Sequence, residues 1–170
     1  AGRLAAAEEL FRTGLELAPD DPALRHRLAT ALFMAGDARG AEEQFEETLR
    51  RSPAFAKAHF GLGMILDLSG RHQEAAERFS AAVTSQPDYL EARLGLADAL
   101  RVTGRAEESL PHYEEIVRTD PGFAEAWIGS AMALAHLERY QEARDRLTEA
   151  RTVLPDRLEL ADLLAQLPSY

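Results

Sequence analysis

The sequence has no cysteine among its 170 residues. This excludes disulfide bonds, a cysteine nucleophile and metal sites built from thiolates. The absence of cysteine leaves the cellular compartment open. A length of 170 residues with 46% hydrophobic residues is enough for one ordinary domain with a sizeable buried core.

Positive charge is also scarce. Acidic residues number 29 against 19 Lys and Arg, so the net charge is −10, and Lys57 is the only lysine. Nucleic acid and anionic membranes repel a chain of this charge, and no compact basic stripe offsets the repulsion. The apolar runs are too short to cross a bilayer. We therefore expect no nucleic-acid partner and no membrane insertion.

Patterns that carry chemistry are missing as well. The histidines share no position in the repeat described below: they are His26, His59, His72, His112 and His136. None forms an H-E-x-x-H motif or a pair four residues apart, which are the usual signs of a zinc site on a helix. Gly61-Leu62-Gly63 lacks the Gly-Lys-Ser/Thr of a phosphate loop. We expect no catalytic residue, metal or cofactor, and hence a protein that is not an enzyme.

The sequence does contain a period of 34 residues. Five prolines follow it without a break: Pro19, Pro53, Pro87, Pro121 and Pro155. Bulky side chains recur at the same interval of 34 residues: Phe11, Phe45, Phe79, Tyr113 and Leu147. Glycine recurs at Gly36, Gly70 and Gly104 and gives way to Glu138. Such a period indicates stacked units, each of which buries its apolar face against the next.

Each unit is predicted to contain two helices, as residues 56–89 illustrate. Leu62, Gly63 and Leu66 form one stripe of a first helix. Gly70 follows, and glycine tolerates the left-handed backbone that ends a helix. A second helix then runs from about His72 to Ser85, and Pro87, which lacks an N–H, stops it.

These anchors resemble the tetratricopeptide repeat, whose pattern is roughly W-x2-L-G-x2-Y, then A-x3-F, a small residue and P. The second unit matches with His59, Leu62, Gly63, Leu66, Ala75, Phe79, Ala82 and Pro87. The fourth matches with Trp127, Ser130, Ala131, Leu134, Ala143, Leu147, Ala150 and Pro155. The resemblance implies an all-α fold, an α-solenoid of about ten helices in stacked antiparallel pairs that wind into a right-handed superhelix.

The period also predicts the domain layout. Residues 1–170 are expected to form a single domain with whole repeats at 22–55, 56–89, 90–123 and 124–157. A second-helix half-repeat at 2–21 precedes them, and a first-helix half-repeat at 156–167 follows. The two half-repeats are compatible with a piece of a longer array and with end caps.

The resemblance further implies that first helices line a concave groove in which a partner segment lies. The predicted groove residues are Arg27, Thr30, Lys57, Phe60, Met64, Asp67, Leu94, Asp98, Arg101, Ile128 and Met132. The apolar members are typical anchors, and the charged ones would set orientation and specificity. Part of the apolar stripe could instead pack between adjacent repeats.

Three glycines recur beside this stripe, in the middle of first helices, and form the predicted groove floor: Gly61, Gly95 and Gly129. Each costs a helix about 0.8–1.0 kcal/mol relative to alanine, so something must offset it. Either neighbouring helices pack closely there, or a partner backbone approaches the bare surface.

The sequence thus predicts a non-catalytic scaffold that binds a partner peptide or protein segment in its groove. The alternatives are a module that self-assembles through its end helices, and a regulatory segment of a larger protein.

Overall fold

The computed structural model describes the backbone of residues 2–168 and the side chains of residues 4–168. This range contains ten helices and no strand. The helices are α1 (Gly2–Leu17), α2 (Pro22–Met34), α3 (Ala38–Arg51), α4 (Ala56–Leu68), α5 (His72–Ser85), α6 (Leu90–Val102), α7 (Ala106–Thr119), α8 (Ala124–His136), α9 (Tyr140–Val153) and α10 (Glu159–Gln166). The predicted all-α fold of paired helices is confirmed.

The helices group into two compact units that divide between Tyr89 and Leu90. The first unit contains α1 to α5, and the second contains α6 to α10. The division coincides with the predicted boundary between the second and third whole repeats. Each predicted whole repeat contains two of the helices, and α1 and α10 lie in the two half-repeats. The single domain over 1–170 stays a prediction.

The second helices bury a recurring trio of side chains, four and then three residues apart. In α5 the trio is Ala75, Phe79 and Ala82, each exposed by at most 1%. The equivalent trio in α7, where Tyr113 is central, is fully buried. These steps place the three side chains on one helical face, and that face forms the core of its unit.

The first helix of every whole repeat ends in the same turn. Gly36, Gly70 and Gly104 have positive φ angles of 90°, 76° and 81°. The residue after each glycine donates its N–H to the carbonyl of the last buried leucine of the first helix. Arg105, for example, donates to the Leu100 carbonyl at 2.8 Å. In the fourth repeat Glu138 occupies this left-handed position, with φ 60°. The turn thus forms even where its glycine is missing, at the expense of backbone strain.

The first helix is also tied to the loop before it. The Trp127 Nε1–H donates to the Pro121 carbonyl at 2.9 Å. His59, two periods earlier, bonds the Pro53 carbonyl at the same 2.9 Å through Nε2, which must therefore carry the proton. His59 thus takes over the hydrogen bond of the tryptophan. The Arg25 guanidinium makes the equivalent bond to the Pro19 carbonyl at 2.7 Å.

Histidine does not replace the tryptophan completely. The Nδ1 atom of His59 is buried and has no hydrogen-bond partner among residues 4–168. Beside the ring lies a cleft of about 240 Å³ lined by Leu62, Leu66 and charged residues of α3 and α5. The Trp127 ring instead packs beneath Arg146, whose guanidinium carbon lies 5.7 Å from the ring centroid.

We expect Glu138→Gly to raise the free energy of unfolding by about 0.5–1 kcal/mol, because glycine adopts the left-handed conformation without strain. Urea denaturation measures the change. Gly104→Glu in the equivalent turn is the matched control and should lower stability by about 1–2 kcal/mol. A destabilised Glu138→Gly variant would contradict the assignment of strain to this residue.

We expect His59→Trp to raise the free energy of unfolding by about 1 kcal/mol, because the larger ring buries more apolar surface and keeps the bond to Pro53. The substitution also removes the unpaired Nδ1. The reverse change, Trp127→His, should lower stability by about 1–3 kcal/mol. Thermal unfolding of both variants checks the pair, and loss of stability in His59→Trp would show that the ring does not fit.

Candidate functional site

The first unit contains an open cleft of about 380 Å³ with mainly apolar walls. It is lined by His26, Thr30, Phe33, Phe45, Lys57, Phe60, Gly61, Met64 and Tyr89. Five of these are among the predicted groove and floor residues: Thr30, Lys57, Phe60, Gly61 and Met64. The first helices α2 and α4 therefore bring this part of the predicted groove together.

Aromatic rings form the walls of this cleft. On one side the His26 ring lies 5.7 Å from the rings of both Phe45 and Phe55, measured between centroids. On the other side Phe60 lies 5.0 Å from Tyr89 and 5.8 Å from Phe79. The tilted geometry of each pair is favourable for aromatic side chains. The rings brace one another, so the cleft is preformed.

Few polar groups face the cleft. The Thr30 hydroxyl donates to the His26 carbonyl one turn earlier, at 2.9 Å. Burial lowers the pKa of His26, and the charges of Lys57 and Arg27 lower it further. The His26 ring is therefore neutral at physiological pH. Lys57 is exposed and is the single charged side chain in the lining.

Two of the floor glycines are explained by close helix packing. A Cβ built on Gly61 would lie 2.4 Å from the Phe45 ring of the preceding repeat. A Cβ on Gly129 would lie equally close to the Tyr113 ring. No side chain larger than hydrogen fits at these distances without displacing a buried ring. Gly95 lies half-buried on α6. Approach of a partner to these glycines stays a prediction.

In the third repeat the predicted groove residues bond to one another. The Tyr113 hydroxyl donates to Asp98 Oδ1 at 2.7 Å, and Arg101 donates to the same oxygen at 3.1 Å. Burial, and then the adjacent Asp98 carboxylate, raises the pKa of Tyr113, so the hydroxyl keeps its proton. The Arg101 side chain is only 13% exposed, whereas that of Asp98 is 43% exposed. Asp98 is thus held in place with one edge open to solvent.

The remaining predicted residues differ in accessibility. Arg27 is exposed, and Asp67 lies 2.7 Å from His72 Nδ1. Leu94 and Ile128 are partly buried and pack against the core of the second unit. Ile128 and Met132 also line a small apolar cavity of about 50 Å³ with Leu163 and Leu167 of the C-terminal segment.

Three residues that shape these surfaces are not among the predicted groove residues: Phe45, Tyr89 and Tyr113. The predicted groove residues all lie on first helices, whereas these three side chains lie outside them. A signal for two of them was present, because Phe45 and Tyr113 belong to the bulky series with the 34-residue step.

Among residues 2–168, no helix is both long and apolar enough to span a membrane. The same part of the chain holds no cluster of three or more His, Asp or Glu side chains arranged to bind a metal ion.

Solved structures similar to this one are helical-repeat proteins. The crystal structure of MamA superimposes with a TM-score of 0.83 at 18% identity, over 93% of this chain and 92% of that chain. A tetratricopeptide repeat protein from Parabacteroides merdae superimposes with a TM-score of 0.82 at 16% identity, over 96% of this chain and 65% of that chain. TTC0263, a thermophilic repeat protein of Thermus thermophilus, superimposes with a TM-score of 0.68 at 20% sequence identity, over 96% of this chain and 90% of that chain. These likenesses concern the fold.

Family models match most of the sequence. One tetratricopeptide repeat model matches residues 26–89 and 69–122, and a second matches 103–167. No curated protein matches the sequence at a significant level. The matched ranges together cover every whole repeat except the first residues of the first. The chain therefore belongs to the tetratricopeptide repeat family, whose members are typically non-catalytic scaffolds for protein interactions.

Proposed function

We propose that the chain binds a segment of a partner protein, and that the aromatic cleft of the first unit receives an apolar side chain of that segment. The observation that carries the proposal is a cleft of about 380 Å³ in which aromatic and aliphatic groups make up most of the wall. Specific ligand sites have this composition, with a few polar groups that set orientation.

The residues of the cleft suit the role of an anchor site. Phe60 and Met64 come from one face of α4, and neither is fully buried. Methionine adapts to ligands of different shape, and braced aromatic rings lose little conformational entropy on binding. An apolar side chain that enters the cleft would therefore gain contact area at low entropic cost.

The second unit would contribute further contacts of a different kind. Among its predicted groove residues, Met132 is an exposed apolar side chain, 39% exposed beside the partly buried Ile128. Its polar residue is Asp98, which Tyr113 and Arg101 hold in place. Leu94 would add to the anchors, and Arg27, Lys57 and Asp67 would set orientation. Self-assembly through the end helices stays an alternative prediction, which light scattering over a range of concentrations would test.

Random dodecapeptides displayed on phage and selected on the chain provide a direct test. We expect the selected peptides to share an apolar anchor and to bind Met64→Glu at least about tenfold more weakly, because the variant places a charge in the apolar cleft. Fluorescence polarisation of the synthetic peptides measures the affinities.

Leu68→Glu is the matched control. Leu68 lies on the same helix and is 71% exposed, and it does not line the cleft. This variant should bind the peptides as the wild type does, and circular dichroism should show both variants folded. Failure to select any peptide, or equal binding by Met64→Glu, would refute the cleft as the binding site.

A further inference from the structure

The charge around the aromatic cleft is opposite to that of the molecule. The chain as a whole carries a net charge of −10, yet no carboxylate from residues 4–168 lines the cleft. Two other clefts, between neighbouring second helices, each contain four carboxylates. In the first unit these are Glu42, Glu46, Glu74 and Glu77, and in the second Glu114, Glu142, Asp145 and Glu149. The aromatic cleft is thus a local region without negative charge.

The two exposed cations beside this cleft differ from most others of the chain, because the described part of the structure pairs neither with a carboxylate. Most arginines of the chain form ion pairs with neighbouring Asp or Glu side chains. Neither Lys57 nor Arg27 takes part in an ion pair among residues 4–168, and both are exposed. Both positive charges act on the cleft, since each adds to the effect of burial in lowering the pKa of the half-buried His26 ring. An incoming carboxylate would relieve this uncompensated positive charge.

The geometry points to a partner segment of defined chemistry. We infer that the segment carries an Asp or Glu side chain beside its apolar anchor, and that this carboxylate pairs with Lys57 while the anchor fills the aromatic cleft. The inference rests on the proposed function and names the class of its ligand: an acidic–apolar stretch within a chain.

The available donors favour a side-chain carboxylate over a C-terminal one. Capture of a chain terminus uses several converging donors or free backbone N–H groups. Here the Thr30 hydroxyl already donates to the His26 carbonyl, and Lys57 is the single charged donor in the lining. His26, Thr30, Phe60 and Met64 lie beyond the first turn of α2 or α4, so their N–H groups are engaged within the helix and do not converge on the cleft. One ammonium group is suited to one carboxylate at the rim.

The test uses the dodecapeptides selected on the wild-type chain, synthesised with amidated C-termini so that only side chains carry negative charge. We expect Asp or Glu to be enriched within a few residues of the apolar anchor. Replacing that residue with Asn or Gln should weaken binding to the wild type by about fivefold, the scale of an exposed ion pair. The same replacement should change binding to Lys57→Gln by less than about twofold.

Arg39→Gln is the control for net charge, because Arg39 is a highly exposed cation that does not line the cleft. Arg39→Gln and Lys57→Gln each remove one positive charge. If the peptide carboxylate contacts Lys57 directly, only Lys57→Gln should bind the peptides more weakly. Lys57→Glu should in turn prefer peptides in which the acidic residue is replaced by lysine. Raised salt should weaken wild-type binding more than binding to Lys57→Gln.

The outcomes separate the two proposals. Peptides that bind the cleft with no acidic enrichment, or that lose equal affinity on the wild type and Lys57→Gln, would overturn the inference and leave the proposed function standing. Peptides that bind only with a free C-terminal carboxylate would also overturn it. Equal binding by Met64→Glu, or no peptide selected at all, would show that the proposed function itself is wrong.

Discussion

The structure depends on the close approach of aromatic rings on the second helices α3, α5 and α7 to small residues on first helices. A Cβ on Gly63 would lie 2.5 Å from the Phe79 ring of the same repeat, and one on Gly61 would lie 2.4 Å from Phe45 of the repeat before. The first contact closes a helix pair, and the second joins one pair to the next. Interiors are close-packed, so helices approach this closely only where a side chain is missing.

This packing rule also produces the candidate site. Because Gly61 has no side chain, the Phe45 ring, which is almost fully buried, still lines the bottom of the aromatic cleft. Phe45, which belongs to the bulky series that packs in the core, therefore also lines a surface cleft. The conformational cost of a mid-helix glycine, about 0.8–1.0 kcal/mol, is offset by contact with the ring.

The position that Phe45 occupies in its repeat carries a polar group in the second unit. Where the first unit has Phe45, the third repeat has Tyr113, and its hydroxyl reaches Asp98. Stacking is maintained, because the Tyr113 ring packs at Gly129 as Phe45 does at Gly61. The repeat thus keeps the shape that packing requires, while the polar atoms carried by its side chains vary. Function in such a fold depends on these variable atoms and not on the fold itself.

The helices and their pairing could be predicted from the sequence alone, because they follow from local rules repeated every 34 residues: an apolar stripe, a glycine at the turn and a proline after the second helix. It also identified Thr30, Lys57, Phe60, Gly61 and Met64, which share one cleft because they share one face of successive first helices. Which other side chains complete that surface depends on how the helices pack. Phe45 and Tyr89 reach it from outside the first helices, and Arg101 is drawn away from solvent by Tyr113. Helical periodicity specifies which face of a helix a residue lies on, whereas contacts between different helices depend on packing distances that no local pattern encodes.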